Sequence, residues 1–304
     1  MSYTNKHDKL KHLAAISSVC VAVFLCIIKG IAFIYTGSLS ILSSMVDSLS
    51  DIVASVITFF AIKISIKPAT TSYRYGYGKA EALSSLFQAG FIAAAGLFIL
   101  YDSILKIKEP YLIQQTNTGL FVMILSLITT LILVVFQHYV AKKTKSIAIL
   151  ADSAHYKIDV LTNASIIISL IIINIWKIYW IDSLLAGLIS IYLMYNAFIL
   201  GREAIYLLLD KELNETIRTN IIEIVKKHPS KPTLHDLRTH DLGGGYLFEF
   251  HLELNGKISL EKAHRYTEEI ENLLHQHYPK AQIIIHQEPK GIMDKRLDHI
   301  LIDN

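Results

Sequence analysis

Long apolar segments before residue 210 constrain this chain more than any other feature of its sequence. A helix needs roughly 20 mostly apolar residues to cross the hydrocarbon core of a bilayer. Six stretches meet that requirement, at about 12–36, 39–66, 80–104, 117–140, 146–175 and 181–207. Because the 52% of hydrophobic residues is concentrated in this way, a single soluble domain is excluded. The sequence therefore predicts an α-helical membrane protein with six transmembrane helices.

Basic residues at the ends of these segments predict their orientation, because Lys and Arg accumulate in the cytoplasmic connections of membrane proteins. The richer set of ends carries Lys6, Lys9, Lys11, Lys63, Lys67, Arg74, Lys79, Lys142, Lys143 and Lys145. The poorer set carries Lys106, Lys108 and Lys177. We therefore expect the richer set, and with it both termini, to lie in the cytoplasm.

After Asp210 the apolar positions follow the shorter periods of a soluble domain. The predicted helices and strands are, in chain order, Glu212–His228, Leu234–His240, Tyr246–Leu254, Leu260–His277 and Gln282–His286. Three glycines at 243–245 supply the turn between the first two strands. The order α-β-β-α-β predicts an α+β domain with one three-stranded sheet. The chain should therefore divide into a transmembrane domain at 1–209 and a C-terminal domain at 210–304.

Charge and motifs limit the partners that this chain can have. Its formal net charge of +3 is too small to indicate nucleic-acid binding. The sequence contains no phosphate-binding loop, which is consistent with a function that needs no nucleotide. No organic cofactor is expected. Cys20 and Cys26 both lie in the first apolar segment and are interpreted as small buried hydrophobes rather than a disulfide or a zinc pair.

Ionisable residues inside two apolar segments are the candidates for chemistry, because charges at bilayer depth are costly and usually functional. Asp47 and Asp51 lie within the second segment, and His155 and Asp159 lie within the fifth. The members of each pair are four residues apart and share one helical face. Two facing helices would present three carboxylates and one imidazole, a donor set suited to tetrahedral Zn²⁺.

A structural role is the alternative for these residues. A single buried pair could serve only as a hydrogen bond between helices. Two pairs favour a metal site, since three neighbouring carboxylates repel each other unless a cation or protons join them. Asp152 lies one helical turn before His155 and is expected to support its ring through a hydrogen bond.

Several motifs resemble those of the cation diffusion facilitator family, and over nearly its whole length the chain is similar to the bacterial ferrous-iron/zinc efflux pumps of that family. The motifs are D-S-L-S-D at 47–51, Y-G-Y-G-K-A-E-A-L at 75–83, H-Y-K-I-D at 155–159, L-L-L-D at 207–210, and H-D-L-R-T-H and I-I-I-H-Q-E-P in the tail. The resemblance implies a homodimer in the cell (inner) membrane with a metallochaperone-like cytoplasmic domain. It also implies export of a divalent cation in exchange for protons.

Each family site maps onto residues of this chain. The resemblance implies a transport site at Asp47, Asp51, His155 and Asp159, and its histidine suggests zinc-class cargo (Zn²⁺, Cd²⁺ or Fe²⁺) rather than manganese. It implies a regulatory cytoplasmic metal site at His235, His251, His264, His286 and Glu288, where relatives often have Asp in place of Glu288. It implies a charge pair at the membrane–cytoplasm junction between Lys79 and Asp210. A further family site in the loop after the second span is expected to be absent, because Thr70, Tyr73 and Tyr77 occupy its positions.

Metal and protons compete for such ligands, because a ligand must be deprotonated to bind the cation. The expected function is therefore metal/proton antiport rather than enzyme catalysis. An intramembrane metal-dependent hydrolase is disfavoured, because H-E-x-x-H is missing and four protein ligands leave no open position for water. A membrane-anchored metal sensor that does not transport is the alternative.

Overall fold

The computed structural model describes residues 2–36, 39–108, 117–176 and 180–291 of the chain. The chain divides into two compact units. The first comprises Met1–Ala69 and Ala80–Ile205, and the second comprises Thr70–Lys79 and Tyr206–Asn304. The second unit therefore includes residues 70–79 and 206–209, which the predicted division assigns to the transmembrane domain.

Six long helices account for the segments that the apolar pattern predicts to cross the membrane. They are α1 (Ser2–Thr36), α2 (Leu39–Ser65), α3 (Ala80–Lys108), α4 (Asn117–Thr144), α5 (Ile147–Trp176) and α6 (Ile181–Leu208). Their bounds agree with the predicted ones to within a few residues, except that α1 begins at Ser2 rather than near residue 12. The prediction of a helical membrane domain is confirmed.

Five of these helices contain, within the described residues, an apolar stretch long enough to cross a membrane. The stretches are His7–Tyr35, Ser48–Ser65, Ala80–Leu105, Phe121–Thr144 and Ser183–Leu208. The helix outside this set is α5, which carries Asp152, His155, Lys157 and Asp159 in its first half and has side chains outside the described residues in its second half.

Small residues let the long helices approach each other closely. One buried cluster joins α3, α5 and α6 through Ala89, Ile92, Ala151, Ile158, Leu193, Ala197 and Leu200. A Cβ atom on Gly96 would meet Met194 at 2.9 Å, and one on Gly187 would meet Ser103 at 2.9 Å. Large apolar side chains such as Phe98 point outwards and are exposed, as a lipid-facing surface requires.

The second unit contains α7 (Glu215–Lys226), β1 (Thr233–Asp241), β2 (Tyr246–Leu254), α8 (Leu260–His277) and β3 (Gln282–Pro289). The predicted α-β-β-α-β order is therefore confirmed. The strands form one sheet in the order β1-β2-β3, with β1 antiparallel and β3 parallel to β2. A parallel pair needs a long crossover connection, and α8 provides it.

Alternation along β2 gives the sheet two chemically different faces. Phe248, Phe250 and Leu252 are fully buried and pack with Ile221 of α7 and Ile270 of α8 in one core. Their neighbours along the strand point to the opposite face, since successive side chains alternate. The two helices therefore cover one face, and the other face carries the polar residues Glu249, His251 and Glu253.

Replacing Phe250 with alanine should destabilise the second unit by about 3–5 kcal/mol, because the side chain is 0% exposed and leaves a cavity. Hydrogen exchange of the β2 amides, measured on the full chain in detergent, should become correspondingly faster. Ile284→Ala in β3 is the matched control, because Ile284 is 46% exposed. Equal effects of the two changes would contradict the assignment of the core to the helix-covered face.

Candidate metal centres

The first candidate centre lies between α2 and α5. Asp51, His155 and Asp159 each offer one ligand atom, and these atoms all lie within 4.8 Å of one another. The Nε2 atom of His155 is 2.9 Å from Oδ1 of Asp51, so the two helices are joined directly by a hydrogen bond. Two oxygen donors and one nitrogen donor from facing helices thus converge on a volume that one divalent cation could occupy.

Three of the four predicted ligands are therefore brought together. Asp47 lies on α2 one helical turn before Asp51, and its side chain lies outside the described residues. The spacing of four residues keeps the backbone of Asp47 on the same face of α2 as Asp51. Asp47 consequently remains a predicted ligand, placed by its helix position alone.

The surroundings of this centre are apolar and largely closed. Asp51 is 7% exposed and His155 is 6% exposed. The ring of Phe91 on α3 lies with its centroid 5.7 Å from that of His155. A cavity between α2 and α3 reaches the imidazole and is lined by Ser50, Val53, Ala54, Phe87, Gln88, Phe91 and His155. Carboxylates in such a setting require a positive partner, because burial of an unpaired charge is strongly unfavourable.

A second buried polar cluster lies beside this centre and was not predicted. Asp152 accepts hydrogen bonds at Oδ2 from Ser18 of α1 and from Gln137 of α4, each at 2.6 Å. Ser55 lies 2.7 Å from Ser18 and 2.6 Å from the Tyr156 hydroxyl. Single serines and glutamines within apolar segments give no sequence signal, because each is common as isolated helix packing.

The supporting role expected of Asp152 differs from the contacts that the structure contains. In the described part of the chain, its hydrogen bonds run to Ser18, Gln137 and Thr58, and none reaches the His155 ring. The Asp152 carboxylate binds side chains of α1, α2 and α4, whereas the His155 ring binds Asp51 of α2. Asp152 therefore fixes the packing of α5 against these three helices.

The second candidate centre lies on the uncovered face of the small sheet. His235 of β1 pairs with His251 of β2, and His251 pairs with His286 of β3. The strand register therefore places three imidazoles in one row across the sheet. Ring centroids are 5.1 Å apart for the first pair and 4.8 Å apart for the second.

Glu288 joins the three imidazoles of this row. Its Oε1 atom is 2.7 Å from Nδ1 of His251 and 3.5 Å from Nε2 of His286. Its Oε2 atom is 3.4 Å from Nε2 of His235. The carboxylate is only 8% exposed, and its longer side chain still reaches all three histidines. The donors fit a zinc-class ion, which prefers imidazole nitrogen and carboxylate oxygen.

Two further acidic residues border the row and were missed in the sequence. Asp236 forms a possible ligand group with His235 and His251. Its φ of 51° belongs to the left-handed region and coincides with the irregular pairing between His235 and Arg238. Glu253 approaches His235 at 3.9 Å. Its position two residues after His251 on one strand was the signal that could have identified it.

His264 is the predicted cytoplasmic ligand that stands apart. It lies on α8, its side chain is 66% exposed, and its Nε2 atom is 3.7 Å from Glu268 of the same helix. Among the described residues it belongs to neither ligand group of the row. Within one chain, therefore, the row combines His235, His251, His286 and Glu288 without it.

The predicted charge pair is formed within the second unit. Nζ of Lys79 donates to Oδ1 of Asp210 at 2.7 Å, and both side chains are partly exposed. In the loop at 70–79, the rings of Tyr73 and Tyr77 contact each other at a tilt of 37°, with centroids 4.6 Å apart. The hydroxyl groups of Thr70 and Tyr77 are 3.2 Å apart, so these residues hold the loop together through a ring contact and a hydrogen bond.

Comparison with known proteins identifies family matches over both units. Residues 15–209 match the cation efflux transmembrane domain, and residues 213–290 match the cytoplasmic domain of cation efflux proteins. A solved structure, the metal-bound C-terminal domain of the CzcD transporter from Thermotoga maritima, matches 27% of this chain and 100% of its own length, at 24% identity and a TM-score of 0.25.

Curated relatives align with almost the entire chain. The cation-efflux pump FieF of Shewanella oneidensis is 38% identical over 289 residues, which cover 95% of this chain and 97% of that protein. FieF of Yersinia enterocolitica is 37% identical over 290 residues, with coverages of 95% and 96%. The chain therefore belongs to the cation efflux, or cation diffusion facilitator, family.

Proposed function

We propose that this protein exports zinc-class divalent cations across the membrane in exchange for protons. The observation that carries the proposal is the convergence of Asp51, His155 and Asp159 between two long helices of the membrane domain. Mixed oxygen and nitrogen donors suit Zn²⁺, Cd²⁺ and Fe²⁺. The relatives named cation-efflux pumps support transport over a membrane-anchored sensor.

Exchange follows from the chemistry of the ligands. Asp51, Asp159 and His155 bind a cation only when deprotonated, so protons and metal displace each other at the site. We infer that the site takes metal when it is open to the cytoplasm and releases it when it is open to a more acidic exterior. Asp47 completes the ligand set as the fourth donor in this proposal. Both termini then lie on the cytoplasmic side, as the distribution of Lys and Arg predicts.

The row on the small sheet serves as the regulatory metal site in this proposal. His235, His251, His286 and Glu288 would hold the ion, and the ion would neutralise the carboxylate that now faces three imidazoles. Repulsion between two acidic surfaces falls when each binds a cation, which favours association of two copies. His264, exposed on α8, is then available to a metal shared with a second copy. We accordingly propose a homodimer.

Replacing Asp51 with asparagine tests the transport site. The variant keeps the shape of the side chain but removes the charge that pairs with His155, so zinc uptake driven by a pH gradient should fall at least about a hundredfold. Uptake is measured with purified full chain in sealed proteoliposomes. Retained uptake would refute the site, and cleavage of a peptide or lipid without metal flux would refute transport.

Asp8→Asn is the matched control for this experiment, because it makes the same chemical change in α1 outside the ligand group. Its uptake should equal that of the unmodified protein. Loss of uptake in both variants would show that the Asp51 effect is unspecific.

Replacing Glu288 with glutamine tests the regulatory site. The amide keeps the length of the side chain but loses the negative charge of the carboxylate that faces three histidines, so the zinc affinity of this site should fall at least about tenfold. Competition with a zinc chelator on the full chain measures the affinity. His277→Ala is the control, because His277 is exposed and bonds to the backbone of its own helix. Unchanged zinc affinity in Glu288→Gln would contradict the assignment.

A further inference from the structure

Lys29 is an ionisable residue within the apolar stretch of α1 that the proposed exchange does not use. Its ammonium group donates to Oγ of Ser48 on α2 at 2.7 Å. Ser48 is 0% exposed, so the contact lies between the two helices. A cationic side chain inside a membrane helix is costly, and such residues usually act in ion pathways.

The position of Lys29 along α1 and the direction of its side chain argue against a role in anchoring the helix at the membrane interface. Lys29 lies six residues before Tyr35, close enough to the end of the apolar stretch for a long side chain to reach towards the interface. Its ammonium is instead directed to a buried hydroxyl on the neighbouring helix. The close packing of α1 on α2 continues at Gly30, where a Cβ atom would meet Met45 at 3.4 Å.

Ser48 connects this ammonium to the first metal centre. It lies three residues before Asp51, and residues with that spacing are neighbours on a helix surface, about 5–6 Å apart between Cβ atoms. It also directly follows Asp47 in the chain. The positive charge of Lys29 is therefore held within about one helical turn of the ligand-bearing face of α2.

The charges of the proposed ligands and the cation indicate a function for the position of Lys29. Three ionised aspartates and a neutral imidazole carry three negative charges, and a divalent cation leaves one of them uncompensated. The ammonium of Lys29 supplies the missing positive charge, so that the four ligands, the cation and this ammonium together have no net charge. A neutral site is the least costly to hold in an apolar interior, where charges are poorly solvated.

We propose that Lys29 is a tethered counter-charge that weakens metal binding at the transport site. This inference rests on the proposed function. Lys29 does not ligate the metal. Its fixed positive charge repels the divalent cation, lowers its affinity and speeds its release. Removing that charge should therefore make zinc bind more tightly and leave more slowly.

The test measures zinc affinity and zinc flux in variants of Lys29. The full chain carries His235→Ala and His251→Ala throughout, so that binding reports the membrane site alone. Lys29→Met, which keeps the length of the stem, and Lys29→Gln should each raise zinc affinity about tenfold and lower the rate of uptake. Lys29→Arg should restore both values, because it keeps the charge.

Lys157→Met is the matched control, because Lys157 lies on α5 between His155 and Asp159 but donates to the Tyr192 hydroxyl at 2.7 Å. Its zinc affinity should stay unchanged. An unchanged or lower affinity in both neutral Lys29 variants would overturn the inference, since a merely structural role weakens binding. An equal rise in Lys157→Met would also overturn it, because the effect would not depend on the contact with Ser48.

Asp51→Asn separates this inference from the function on which it rests. If Asp51→Asn abolishes uptake while Lys29→Met behaves as the unmodified protein, only the role of Lys29 fails. If Asp51→Asn transports normally, the proposed transport site fails, and the role of Lys29 fails with it.

Discussion

An ionised group inside an apolar membrane domain must have a partner, and this requirement organises the first unit. Asp51 meets it through His155, and Asp152 meets it through Ser18 and Gln137. Lys29 meets it through Ser48. Each partner lies on a different helix from the group that it satisfies. The polar contacts therefore determine which helices pack together, while the surrounding apolar surface determines only that they lie in the membrane.

The small sheet also keeps its polar groups apart from its apolar side chains. Its helix-covered face buries Phe248, Phe250 and Leu252, which provide the stability of the unit. Its other face collects imidazoles and carboxylates that would disrupt a core. Because strand pairing fixes the row of His235, His251 and His286, the geometry of the metal donors depends on backbone hydrogen bonds rather than on mobile loops.

Periodicity and residue spacing were sufficient to predict the architecture. Long apolar runs identified the six helices, and alternation identified the strands, because both patterns report directly on burial. Four-residue spacing likewise placed Asp47 with Asp51, and His155 with Asp159, on one face of their helices. These features are local in the sequence or repeat along one face, so they can be read before any tertiary contact is known.

Contacts that depend on the rotation of one helix against another could not be predicted. Asp152 was expected to support His155, yet its carboxylate hydrogen-bonds with Ser18 of α1 and Gln137 of α4. The reach of Glu288 to three histidines depends on strand register and on a buried side-chain conformation. The isolated position of His264 on α8 is similarly invisible in its motif, which specifies only that a histidine is present.

The row of histidines has a consequence for the stability of the sheet at its edge strand β3. It crosses all three strands, including the edge strand β3, which among the described strands pairs with β2 alone. Unpaired strand edges are prone to fraying and to joining foreign strands. An ion bound by the row would cross-link the three strands. Loss of the metal would therefore loosen the edge strand β3 first and expose it to proteases.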